Sequence, residues 1–161
     1  GTLLGTSGLI NAYREALALY RSLSAESEDV ALALNSIAGA ERLSGDYTAA
    51  ERDYREALRI ACAVGYAEGE ATYTGNLATL ALNRKDWAGA ETLAREALAL
   101  SEKIGRLELI ASRCDDLAKS LVRQGQPAEA RPYAQRAVDI FTRLGSPKLE
   151  FAQETLAECG A

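Results

Sequence analysis

The apolar residues along the chain recur at intervals of three and four. Between positions 47 and 63 they fall at Ala50, Tyr54, Ala57, Leu58 and Ala61, and just before at Ile37, Ala38 and Ala40, a spacing that gathers them on one face of a helix. Valine and isoleucine together number ten, and no segment sustains period-two alternation, so strands are not expected. Breakers punctuate the pattern at Gly45-Asp46-Tyr47, Lys85-Asp86-Trp87 and Gly125-Gln126-Pro127, and again at Gly65, Gly105 and Gly145. Glycine suits the left-handed residue that closes a helix, and Pro127 suits a first turn, where its missing N–H is not needed. The pattern predicts eight helices, near 7–23, 29–44, 47–63, 67–84, 87–103, 107–124, 127–143 and 147–159, joined by short turns.

These helices repeat. Gly65, Gly105 and Gly145 stand 40 residues apart, as do Ala50, Ala90 and Ala130, then Ala57, Ala97 and Ala137, then Ala31, Ala71 and Ala111. Tyr54-Arg55-Glu56-Ala57-Leu58 returns as Ala94-Arg95-Glu96-Ala97-Leu98 and as Ala134-Gln135-Arg136-Ala137-Val138, and an earlier copy, Tyr13-Arg14-Glu15-Ala16-Leu17, precedes the first by 41. A two-helix unit cannot bury its own apolar face, so neighbours must stack. With 31 alanines, helix axes can approach closely where they do. The expected fold is all-α, a right-handed superhelical solenoid of antiparallel helices forming one domain over 1–161. Its repeats lie near 29–65, 66–105 and 106–145, with half-repeats at 7–24 and 146–159.

The run Gly45-Asp46-Tyr47-x-x-Ala50-Glu51-x-x-Tyr54-x-x-Ala57-Leu58, preceded by Ile37-Ala38, resembles the tetratricopeptide repeat. Asn76-Leu77-Ala78, Asp86-Trp87-x-x-Ala90-Glu91 and Ala97-Leu98 form a second copy. Asp116-Leu117-Ala118, Gly125, Ala130 and Ala137 form a looser third, with Pro127 where an aromatic is usual. A period of 40 exceeds the 34 of the ordinary repeat and resembles the longer variety of bacterial regulators, signalling NTPases and kinesin light chains. The resemblance implies a non-catalytic protein-interaction module whose first helices line a concave groove.

Composition narrows the chemistry. No histidine is present, which removes the commonest general base and metal ligand, and with it Ser-His-Asp and Cys-His catalysis; no enzyme activity, cofactor or metal is expected. A net charge of −5 without a Lys/Arg run argues against nucleic acid. Cys62, Cys114 and Cys159 match neither a redox pair nor zinc-ligand spacing and read as packed, reduced thiols of a cytoplasmic protein. No segment suits a membrane helix. The opening Gly1-Thr2, without Met, reads as a slice of a longer array, with Leu3, Leu4, Leu9 and Ile10 as an exposed seam through which repeat ends self-associate. The Gly-rich start through Gly8 lacks the lysine of a phosphate loop and reads as a flexible end.

If the family register holds, groove-facing residues include Asn35 and Arg42 on the first helix of one repeat, Thr72, Gly75, Thr79 and Asn83 on the next, and Asp115, Lys119 and Arg123 on the third. Residues 71–83 carry no charge; burial accounts for part of this, while Thr72, Gly75, Thr79 and Asn83 share a stripe where a peptide backbone can lie close. Lys119 and Arg123, one turn apart, either grip one ligand carboxylate together or pair with Asp115 and Glu154. Asp115 and Asp116 point about 100° apart and cannot act as a paired acid and base. The expected partner is a protein or peptide bound in the groove. The alternatives are a ligand or peptide sensor controlling an attached NTPase or DNA-binding domain, and a self-assembly scaffold.

Overall fold

The computed structural model describes residues 3–160, with side chains from residue 5. Its described residues form eight helices: α1 (Leu3–Leu23), α2 (Glu28–Ser44), α3 (Tyr47–Val64), α4 (Ala67–Asn83), α5 (Trp87–Ile104), α6 (Leu107–Arg123), α7 (Pro127–Leu144) and α8 (Leu149–Glu158). Their boundaries lie within two residues of those read from the sequence, except that α1 starts at Leu3 rather than near 7. The glycines at 5 and 8 are therefore helical, and the flexible start expected from them is corrected over Leu3–Gly8. Gly1, Thr2 and the side chains of Leu3 and Leu4 lie outside the described residues. Leu9 is exposed and Ile10 half-buried.

Local chemistry sets the boundaries. The Asp46 carboxylate accepts the Ala49 N–H at 3.1 Å, and the Asp86 carboxylate accepts the Gly89 N–H at 3.0 Å. Two helices forty residues apart thus start on the same side-chain cap. Gly65, Gly105 and Gly145 close α3, α5 and α7 with φ of 71°, 72° and 59°, the left-handed conformation that costs other residues. At the mid-repeat turns the same conformation falls on Gly45 (φ 87°), Gly125 (φ 76°) and, in the middle copy, Lys85 (φ 60°). Turns this short fold successive helices into antiparallel neighbours.

The chain divides into two compact units, Gly1–Leu80 and Ala81–Ala161. In the first, α2 packs on α1 and on α3, and Tyr73 of α4 enters the core formed with Leu17, Leu34, Ile37 and Ile60. In the second, α6 packs on α5, α7 and α8, and α7 on α8. The repeating alanines explain the close packing: Ala50, Ala57, Ala90, Ala97, Ala130 and Ala137 of the second helices, and Ala31, Ala71 and Ala111 of the first, are all fully buried. The 40-residue sequence period is therefore a period of burial, and anything larger than a methyl at these sites overpacks the core.

Candidate functional site

The first helices of the repeats are α2, α4, α6 and α8, and each unit carries its own share of the predicted site. In the first unit, Asn35 of α2 and Asn76 of α4 meet, the Asn76 Nδ2 donating to the Asn35 Oδ1 at 2.7 Å. Each amide keeps its opposite half, a donor on Asn35 and an acceptor on Asn76, for a further partner. Arg42 is tied to the Tyr54 hydroxyl; burial raises the ionisation of that hydroxyl above its ordinary range, and the Arg42 bond opposes the rise. Thr72 and Thr79 are half-buried and Gly75 is buried. The Thr79 hydroxyl donates to the Gly75 carbonyl at 3.2 Å, which turns it toward its own helix. Tyr73, Thr74, Leu77, Ala78 and Leu80 are buried, so burial explains much of the uncharged run through α4.

In the second unit, Asn83 is exposed at the end of α4, and α6 carries a charged face of unusual depth. Asp115 is only 7% exposed; Lys119 Nζ donates to its Oδ2 at 2.6 Å, while its buried Oδ1 finds no hydrogen-bond partner among the described residues. The neighbouring Asp116 turns instead to Arg113, 3.3 Å away and likewise buried. Adjacent carboxylates thus serve different cations, as a 100° helical separation requires. Arg123 reaches α8, where Glu158 accepts from its Nη1 at 2.8 Å. Lys148, at the start of α8, donates to the Ser112 hydroxyl at 3.2 Å and lies 3.4 Å from Glu108. Of the partners foreseen for the two cations, Asp115 takes Lys119 as expected, but Glu158 takes the place of Glu154. Each cation holds its own acid yet has further N–H donors, three in all on an ammonium and five on a guanidinium, so a ligand carboxylate at Lys119 or Arg123 shares the cation with that acid.

Sequence reasoning missed two contributors. Lys148 lies in a turn whose register drifts from the 40-residue period. Glu41 is 2% exposed, with Arg14 at 3.3 Å and Arg52 at 3.9 Å; burial, with Asp53 close by, raises its carboxyl above the ordinary range against the pull of both arginines. Its signal was present, since Leu34, Ile37, Ala38 and Glu41 form one i, i+3, i+4, i+7 stripe. Cysteine placement also needs correcting: Cys114 and Cys159 are buried, but Cys62 is exposed.

Two tetratricopeptide-repeat models match the sequence, one over residues 30–64 and one over 69–143, together about two thirds of the chain. The chain belongs to the tetratricopeptide-repeat family. Solved structures agree on the fold. BtubC (BKLC) of P. vanneervenii superposes with a TM-score of 0.80 at 20% identity, over 99% of this chain and 66% of that one. A candidate kinesin light chain of P. anserina, built of nearly identical TPR-like repeats, gives 0.74 at 18% identity, over 96% and 76%. A TPR-like protein of Chlorobium tepidum gives 0.69 at 23% identity, over 81% and 94%. This tetratricopeptide-repeat chain spans about two thirds of the length of the first of these structures. No curated protein matches its sequence. The fold is all-α and of the tetratricopeptide-repeat type, consistent with a protein-interaction module, and none of the described helices is long and apolar enough to cross a membrane.

Proposed function

We propose that the chain is a non-catalytic protein- or peptide-binding module in which the first helices of each unit carry a ligand face: Asn35, Arg42, Thr72, Gly75 and Thr79 in the first unit, and Asn83, Asp115, Lys119 and Arg123 in the second. The observation that carries this reading is the buried Asp115. A carboxylate nine-tenths removed from water, with one oxygen on Lys119 and the other without a partner, is costly to keep. The Lys119 side chain, 40% exposed, presents this pair at the surface, and its remaining N–H groups can donate to a ligand carbonyl or carboxylate. The Asn35–Asn76 pair supports the reading in the first unit, because its unspent donor and acceptor match a peptide main chain. A repeat longer than the ordinary 34 residues supports membership of a larger bacterial regulatory or signalling protein, and cysteines standing as thiols suit the cytoplasm.

The test is selection of peptides from a random displayed library on the whole chain. Affinity is then measured for the parent and for the combined Asn83→Ala, Lys119→Ala, Arg123→Ala variant, with helix content checked by circular dichroism. The reading predicts about a tenfold or greater loss of affinity in a folded variant, the scale of losing a charged contact and a hydrogen bond. Equal affinity refutes the assignment.

A further inference from the structure

One face of α1, turned away from α2, is covered by nothing among the described residues. Counting by the repeat, Leu9, Tyr13, Ala16 and Tyr20 stand where α3 carries Ala50, Tyr54, Ala57 and Ala61, and those four are buried. On α1 the same stripe is open: Leu9 and Tyr20 are exposed, and Tyr13 and Ala16 are half-buried. Beside it Leu19 and Leu23 are 67% and 86% exposed, although Leu19 takes the place of the buried Ile60. At about 100° per residue, Leu9, Ala12, Ala16, Leu19, Tyr20 and Leu23 fall within an arc of about 100°, and no charged residue interrupts them. Arg14 lies off this arc, bonded to Glu41 of α2.

The open area is large for a monomer. Exposed Leu32 of α2 extends the stripe across a shallow groove of about 260 Å³ that Tyr13, Ala16 and Tyr20 also line. From their exposed fractions, Leu9, Leu19, Tyr20, Leu23 and Leu32 offer roughly 500 Å² of surface, in the upper part of the range of about 300–600 Å² for the largest apolar patch on a monomer. The spacing is also the same read in either direction. About Ala16 as centre, Leu9 mirrors Leu23, Ala12 mirrors Tyr20 and Tyr13 mirrors Leu19.

We propose that α1 is a dimerisation helix, its stripe covered by the α1 of a second copy across a two-fold axis near Ala16. Two antiparallel copies with Ala16 on Ala16 place leucine on leucine at both ends and set each Ala12 opposite the Tyr20 ring of the other, small against large. A methyl at the crossing point lets the axes approach to about 8 Å. Burying roughly 500 Å² from each copy reaches about 1,000 Å², the least that a specific interface needs. The far end of the chain offers no such match, since α8 exposes Phe151 among Glu150, Glu154 and Glu158, and carboxylates lose their water against an uncharged stripe. Glu15 borders the stripe beside its centre, where a second copy brings a like charge, so the contact tightens as salt rises. None of the residues assigned to the ligand face takes part.

The test is the mass of the whole chain by light scattering and sedimentation velocity from about 5 to 500 μM, a range that brackets contacts of this small size. The chain is expected to pass from 17.2 kDa to twice that mass and to stop there, because a contact between identical patches closes on itself. Leu19→Glu with Leu23→Glu, both at exposed sites, is expected to weaken association about tenfold or more with helix content unchanged. Leu43→Glu, at an exposed site near the end of α2, is expected to leave it as in the parent, and so is the combined Asn83→Ala, Lys119→Ala, Arg123→Ala variant, which separates failure here from failure of the first-helix reading. In a Cys62→Ser background, Ala16→Cys is expected to give a disulfide-linked dimer on mild oxidation, and Leu9→Cys is not. A chain that stays monomeric through the range overturns the proposal. So does growth beyond two copies, the mark of an end-to-end stack, and so does a dimer that survives Leu19→Glu with Leu23→Glu or is lost in Phe151→Glu.

Discussion

Replacing Lys119 by alanine tests the cluster on α6 most sharply. Asp115 is 7% exposed, its Oδ2 sits 2.6 Å from Lys119 Nζ, and its Oδ1 has no partner among the described residues. Removing the cation from a wholly buried pair costs about 3–5 kcal/mol, because a charge is left without compensation. The Lys119 side chain is 40% exposed, so water enters where the ammonium was, and the cost falls to about 1–2 kcal/mol. The better helix propensity of alanine offsets only a few tenths. Asp115→Asn removes the buried charge itself, so a cycle of Lys119→Ala, Asp115→Asn and the double change should show about 1 kcal/mol of coupling. Urea titrations followed by circular dichroism measure the stabilities. Since repeats can open one at a time, hydrogen exchange of α6 amides reads the same cycle locally. A Lys119→Ala cost below about 0.3 kcal/mol, or costs that add, would refute the claim that Asp115 is held in place by this one cation.

The structure makes three further predictions. Tyr73 is 1% exposed and its hydroxyl has no partner among the described residues, whereas the Tyr54 hydroxyl is bonded to Arg42; Tyr73→Phe should leave stability unchanged or raise it by up to about 1 kcal/mol, and Tyr54→Phe should lower it by about 1 kcal/mol in the same denaturation assay. Lys85 sits at φ 60° where the other repeats place Gly45 and Gly125, so Lys85→Gly should stabilise by about 0.5–1 kcal/mol, against the usual penalty for introducing glycine. Burial pushes the Cys114 thiol up to about 11 while Cys62 is exposed, and iodoacetamide near neutral pH should therefore modify Cys62 well before Cys114, as read by mass spectrometry.

The helices were legible because breakers alternate with apolar spacing of three and four: aspartate caps start α3 and α5, and glycines in the left-handed conformation close α2, α3, α5 and α7. The residues on the first helices were legible as positions but not as partnerships. Spacing along α6 brings Lys119 within reach of Asp115, a local matter that sequence can anticipate. Whether Arg123 meets Glu154 or Glu158 depends on how far α8 slides along α6, and α8 starts at Leu149 because the last turn departs from the period. Cys62 was misjudged for a similar reason: cysteine is usually buried, and only the placement of α3 puts this one outside.

Hydrogen exchange of the whole chain with and without a library-selected peptide tests the central claim, that the first helices carry the ligand. Slower exchange is predicted in α2, α4 and α6, with the Asp115–Lys119 turn among the protected amides, and little change in α5 and α7. Protection confined to the second helices, with α4 and α6 unaltered, would contradict it.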